Sequence, residues 1–222
     1  MQLTAPGGGG PVRIGALASG GGRTAVNIAG ACARGEVPAT VAVCVVTRAG
    51  SAAVDRCRAA GIAVEVVTPE PAATFDDRVD AALRAHGAQL VCLCGYLRRF
   101  RVDAWRGRAL NIHPALLPDF GGPGMYGERV HRAVLDSGRR ETGCTVHWVD
   151  EEYDRGATVL QRRCPVLPGD TPAHLSERVF AEECLAYPEA LRMVLGPAAG
   201  LGTAGAPGRP GAREPGPAVG LP

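Results

Sequence analysis

Asn111 and His113 stand two residues apart in the run Asn111-Ile112-His113-Pro114-Ala115-Leu116-Leu117-Pro118. On a strand, positions two apart share a face, so this spacing aims an amide and an imidazole the same way. Pro114 then stops the strand. The pair suits a reaction that develops an oxyanion and moves a proton: Asn111 donates to the oxygen while His113 donates or accepts. The alternative is a pair that caps the strand end, with His113 bonded to backbone. A carboxylate near His113 would favour its imidazolium form and fix the ring. The segment Asp150-Glu151-Glu152-Tyr153-Asp154-Arg155-Gly156 holds four acids. Most of them read as the solvated face of a turn; Asp154, followed by Arg155-Gly156, is the exception.

A second candidate is the loop Ser19-Gly20-Gly21-Gly22-Arg23-Thr24, between an apolar run and a helical stretch. A helix start presents free backbone N–H groups and the positive end of the dipole, which suits an anion such as phosphate. Arg23 could add a charge-assisted contact. The loop has no Lys and lacks the third glycine of the dinucleotide fingerprint, so neither of those motifs applies. A tight strand-to-helix turn needing glycine backbone angles would look the same.

These residues need elements to position them. Apolar runs at Val12–Ala18, Val41–Thr47, Ala63–Val67, Gln89–Cys94 and Ala109–Ile112 read as strands. Between the first four lie helical stretches at Thr24–Arg34, Ala52–Ala60 and Phe75–Ala85. Such alternation implies right-handed crossovers and a doubly wound α/β, mostly parallel sheet covered on both faces. The carboxyl ends of its strands, at a topological switch point, are where ligands sit. Further on, Tyr126–Asp136 reads as a helix. Cys144–Val149 and Thr158–Val166 form an antiparallel hairpin over the polar turn. Thr171 and Pro172 open a last helix, as N-cap and first residue. Leu175, Val179, Leu185 and Leu191 give that helix its buried stripe, with an interruption expected near Pro188.

The chain has 222 residues and a formal net charge of +2, a balance that argues against a nucleic-acid-coating protein. All 24 basic residues are Arg, which excludes a Schiff-base or P-loop lysine. No apolar run is long enough to cross a bilayer, and no signal peptide is legible at the start. The eight cysteines form no CxxC pair; Cys92 and Cys94 share a strand face without a second pair to complete a zinc site. Reduced thiols in a cytoplasmic protein are expected. Residues 1–11 read as a flexible leader, 12–196 as one domain, and 197–222 as a disordered Gly/Pro/Ala tail.

The motifs together identify a family. The Ser19 glycine loop, the Asn111-Ile-His-Pro-Ala-Leu-Leu-Pro run, Tyr153-Asp154-Arg-Gly with Leu160-Gln161, and Glu183 before Tyr187-Pro188 resemble the phosphoribosylglycinamide formyltransferases. The likeness runs from Val12 to about Met193. It implies a Rossmann-like formyltransferase fold and formyl transfer from 10-formyltetrahydrofolate to the amine of glycinamide ribonucleotide. It implies Asn111, His113 and Asp154 as the catalytic trio, with His113 protonated beside the oxyanion and Asp154 passing protons through water. Gly20, Gly21, Gly22, Arg23 and Thr24 would hold the ribonucleotide phosphate, and Glu183 its glycinamide end. Leu97, Arg98 and Phe100 would meet the folate, with Arg78 on its glutamate tail, although Leu97 and Phe100 suit a core equally. No metal is implied. The expected partners are these small molecules, with no nucleic acid or membrane, in a monomer or homodimer.

The chain departs from the family pattern at Arg23 and Thr24, where a small polar residue and Asn are common. It also carries a longer loop at Phe120–Tyr126. His131, beyond that loop, reads as structural. The rivals are a formyltransferase acting on another amine, such as an amino sugar or modified amino acid, and a non-catalytic folate- or nucleotide-binding module.

Overall fold

A computed structural model describes residues 10–196, so the expected tail and most of the expected leader lie outside the described residues. The first strand, β1 (Val12–Ala18), is followed by α1 (Arg23–Ala33), β2 (Ala39–Val46), α2 (Ala52–Ala59), β3 (Val64–Val66), α3 (Phe75–Ala85), β4 (Leu90–Leu93) and β5 (Ala109–His113). Then come α4 (Glu128–Asp136), β6 (Glu141–Trp148), β7 (Thr158–Pro165) and α5 (Pro172–Leu195). One seven-stranded sheet has the order β3-β2-β1-β4-β5-β6-β7. Strands β1 to β5 pair parallel and β6-β7 antiparallel, as the sequence implied, and β5-β6 pair antiparallel as well.

The chain winds outward from β1 to β3, then returns through α3 to β4 on the other side of β1. That reversal opens a crevice beyond the carboxyl ends of β1 and β4. Both sheet faces are covered: one cluster packs α1, α2 and α5 against the sheet, and the other packs α3 with Phe100 and Trp105. This is why Ile14 to Ala18 are buried without alternation. Each fully buried Leu or Ile of these layers contributes roughly 1.5–3 kcal/mol of apolar burial.

Helix α5 corrects two expectations: Leu185, expected in its buried stripe, is exposed, and the helix runs unbroken through Pro188. A proline has no N–H and strands the carbonyl four residues earlier. Here that carbonyl belongs to Cys184, and the Asn27 side-chain amide donates to it at 2.9 Å. The missing backbone bond is replaced from α1. Next to Pro188, the fully buried Tyr187 aims its hydroxyl at the Leu110 carbonyl, 2.9 Å away, and pins α5 onto β5. Thr171 caps α5 as expected, its side chain accepting from the His174 N–H.

Candidate active site

Register brings the site together. In the β5-β6 pair, Asn111 lies opposite His147 and His113 opposite Thr145. The Asn111 Nδ2 is 3.2 Å from His147 Nε2 and 3.5 Å from Asp154 Oδ1. His147 Nδ1 donates to the Trp148 carbonyl at 2.8 Å, and its Nε2 also lies 3.5 Å from Asp154 Oδ1. Likewise, His113 Nε2 donates to the Phe120 carbonyl at 2.8 Å. Its Nδ1 then faces Asp154 Oδ2, 3.5 Å away.

Asp154 reaches this position from the far end of the hairpin turn. Its backbone is left-handed, φ 56°, and its Oδ2 accepts the Gly122 N–H at 2.9 Å. A strained backbone with a buried carboxylate held on both oxygens belongs to a site rather than to a solvated turn. Two residues on, a side chain on Gly156 would place its Cβ 1.8 Å from the Trp148 carbonyl, so only glycine lets the turn close over β6. The loop after His113 is fixed from β6 and β7. Thr145 Oγ1 donates to the Ala115 carbonyl and accepts the Leu117 N–H, while Gln161 Nε2 donates to the Leu117 carbonyl.

Burial pushes the His113 imidazole below its ordinary pKa, against the opposite pull of Asp154 and the Phe120 carbonyl. Burial thus disfavours the imidazolium form of His113 until charge develops beside it. Burial also pushes Asp154 up, but the His147 hydrogen bond, the His113 charge and the Gly122 N–H outweigh it, and the carboxyl lies below its usual value. The result is a carboxylate beside a ring favoured in its neutral form, whose bare Nδ1 can take a proton. An amide, an imidazole and a carboxylate so placed can stabilise an oxyanion and carry a proton across one reacting centre.

The three side chains line a single cavity of about 310 Å³. Arg23 and Thr24 of α1, Ser176, Phe180 and Glu183 of α5, and Leu97, Arg98 and Phe100 after β4 line the same cavity. The match to known proteins follows this layout. Residues 12–191 fit the formyl transferase family. The chain belongs to that family. It is 40% identical over 185 residues to a chloroplastic phosphoribosylglycinamide formyltransferase of Arabidopsis thaliana, covering 80% of this chain and 63% of that one. A trifunctional purine biosynthetic protein adenosine-3 of Gallus gallus is 40% identical over 75% of this chain, which spans 17% of its length. The crystal structure of glycinamide ribonucleotide transformylase 1 from Symbiobacterium toebii superposes with a TM-score of 0.78 at 39% identity, over 86% of this chain and 90% of that one.

Most of the sequence-derived site residues meet at the cavity, with four exceptions. Gly20, Gly21 and Gly22 form the turn beneath it and do not line it. The Gly20 carbonyl accepts the Ala53 N–H, the Gly21 carbonyl accepts from Arg56, and Gly22 is the left-handed N-cap of α1. A Cβ on Gly22 would meet the Ala53 Cα at 2.8 Å. Arg78 also lies outside the cavity lining; its Nη2 donates to the Thr68 and Pro71 carbonyls of the segment leading into α3. Leu97 is 56% exposed, free to cover a ligand, whereas Phe100 is buried edge-on to Tyr96. Burial pushes the Glu183 carboxyl up to about 7, with Arg23 pulling the other way. His147 was not among the sequence candidates; its signal was alternation with Thr145 on a strand whose register to Asn111 the sequence did not disclose. Among the described residues, no group of three His, Cys, Asp or Glu side chains is placed to hold a metal ion. No described helix is long and apolar enough to cross a membrane.

Proposed function

We propose that this protein transfers the formyl group of 10-formyltetrahydrofolate to the primary amine of glycinamide ribonucleotide, giving formyl-glycinamide ribonucleotide in de novo purine biosynthesis. The convergence of Asn111, His113 and Asp154 in one cavity that is also lined by Arg23 and Thr24 at an anion-suited helix start and by the exposed Leu97 carries this reading. The ribonucleotide lies toward Arg23, Thr24 and Glu183, and the folate toward Leu97, Arg98 and Phe100. The apolar walls of Leu97 and Phe100 fit a flat ring, and the Arg98 guanidinium, stacked on Phe75, offers a charge for a carboxylate.

The amine attacks the formyl carbon, and negative charge grows on the carbonyl oxygen. Asn111 donates an amide hydrogen to that oxygen. The proton lost by the amine passes to the bare Nδ1 of His113, directly or through water. The nascent charge beside the ring favours proton uptake, reversing the effect of burial. Asp154 steadies the imidazolium. As the carbon–nitrogen bond to the folate breaks, the leaving nitrogen takes the proton, so one proton moves from amine to folate and none is gained or lost. No step in this balance calls on a metal. We place the protein in the cytoplasm, a reading supported by eight free thiols.

The test is formyl transfer to glycinamide ribonucleotide compared with a panel of amino sugars and modified amino acids. Preferred turnover of the ribonucleotide is expected. Faster transfer to another amine would replace the acceptor, and folate binding without transfer to any amine would leave only a binding module.

A further inference from the structure

Of the described cavity lining, α1 and α5 contribute one guanidinium, that of Arg23, beside Thr24, Ser176, Phe180 and Glu183. A long, exposed Arg at a helix start would ordinarily sample many rotamers and bind an anion at an entropic cost. Arg23 does not sit free. Its guanidinium carbon lies 3.7 Å from the centre of the Phe180 ring, a stacked cation–π contact. One nitrogen, Nη1, takes both oxygens of Glu177, at 2.9 and 3.0 Å. The Nη2 and Nε hydrogens are left for another acceptor.

The two restraints differ in strength. Glu177 and Arg23 have side chains 67% and 40% exposed, so their ion pair is screened by water and weak. Phe180 is half-buried in the cavity wall, on the α5 face one turn before Glu183. The Arg23 charge also acts on Glu183, which lines the same cavity.

We propose that Phe180 is a positioning residue for anion recognition: its ring holds the Arg23 guanidinium flat beside the free N–H groups of α1, so that a phosphate group meets a cation already in place. This rests on the reading of the cleft as a ribonucleotide site, and deepens it. The chemistry recognised is a phosphate monoester, and the fold supplies it from the loop after β1 together with a ring on α5. Leu fills the same wall but cannot stack on a guanidinium, whereas Tyr can.

The experiment uses the full chain with Phe180→Leu, Phe180→Tyr, Arg23→Ala and the Arg23→Ala/Phe180→Leu double variant. Two readouts are taken: steady-state KM for each substrate, and binding of inorganic phosphate followed by NMR chemical-shift titration. Phe180→Leu is expected to raise the KM for glycinamide ribonucleotide and the phosphate Kd by about three- to fivefold. The kcat and the folate KM should stay as in the wild type, and Phe180→Tyr should behave like the wild type. In the Arg23→Ala background, Phe180→Leu should add nothing. Equal phosphate binding by Phe180→Leu and wild type would overturn the proposal, as would effects of the two substitutions that simply add. Failure of the wild type to form product while this phosphate pattern holds would instead overturn the functional reading.

Discussion

Asn111 and His147 face each other across the β5-β6 pair, amide nitrogen to ring nitrogen at 3.2 Å, with Asp154 Oδ1 3.5 Å from each. This three-way contact ties the carboxylate at the hairpin turn to the strand that carries the amide and His113. His147 is among the groups that hold the Asp154 pKa down against burial. His147→Ala should remove the hydrogen bond that most opposes burial, so that Asp154 takes up a proton at higher pH. Activity that needs the carboxylate would then fail earlier on the acid side. We expect kcat to drop by about tenfold at neutral pH and its acid limb to move upward. An unmoved acid limb would detach His147 from Asp154.

Glu183 carries an energetic cost of its own. Its carboxyl titrates at about 7 in the folded chain, against an ordinary 4.5. Between those values the unfolded chain has lost the proton and the folded chain keeps it. Stability therefore falls as pH rises through that window and stays lower above it. Glu183→Gln should raise Tm, by more at pH 8 than at pH 5, while weakening binding of glycinamide ribonucleotide. Thermal melts at the two pH values check this; an equal gain at both would remove the buried charge as its cause.

Asn27 supports the same region from α1. Replacing it by Ala leaves the Cys184 carbonyl without the donor that Pro188 cannot supply. The expected loss is about 1–3 kcal/mol, the cost of an unsatisfied buried carbonyl. Denaturant unfolding measures it. A loss confined to a few tenths of a kcal/mol would mean that water satisfies Cys184 instead.

The parallel half of the fold was legible because its strands are unbroken apolar runs separated by helical stretches, a pattern that fixes topology through crossover handedness. Asn111 and His113 were legible for a related reason, since a spacing of two on a strand needs no partner to define a face. His147 was not, because it joins Asn111 only through the pairing of β5 with β6. Nor could the sequence show that the surrounding core disfavours the imidazolium form of His113. Arg78 shows the converse: its type suited an anionic tail, but carbonyls before α3 lie within its reach and take its hydrogens. Pro188 read as a break because its replacement donor, Asn27, is far away along the chain.

The most direct measurement is kcat for formyl transfer from 10-formyltetrahydrofolate to glycinamide ribonucleotide by the His113→Ala variant beside the wild type. The site described here requires product from the wild type and a kcat lower by about a thousandfold in the variant, with both KM values held. A variant that turns over within a few fold of the wild type would contradict it.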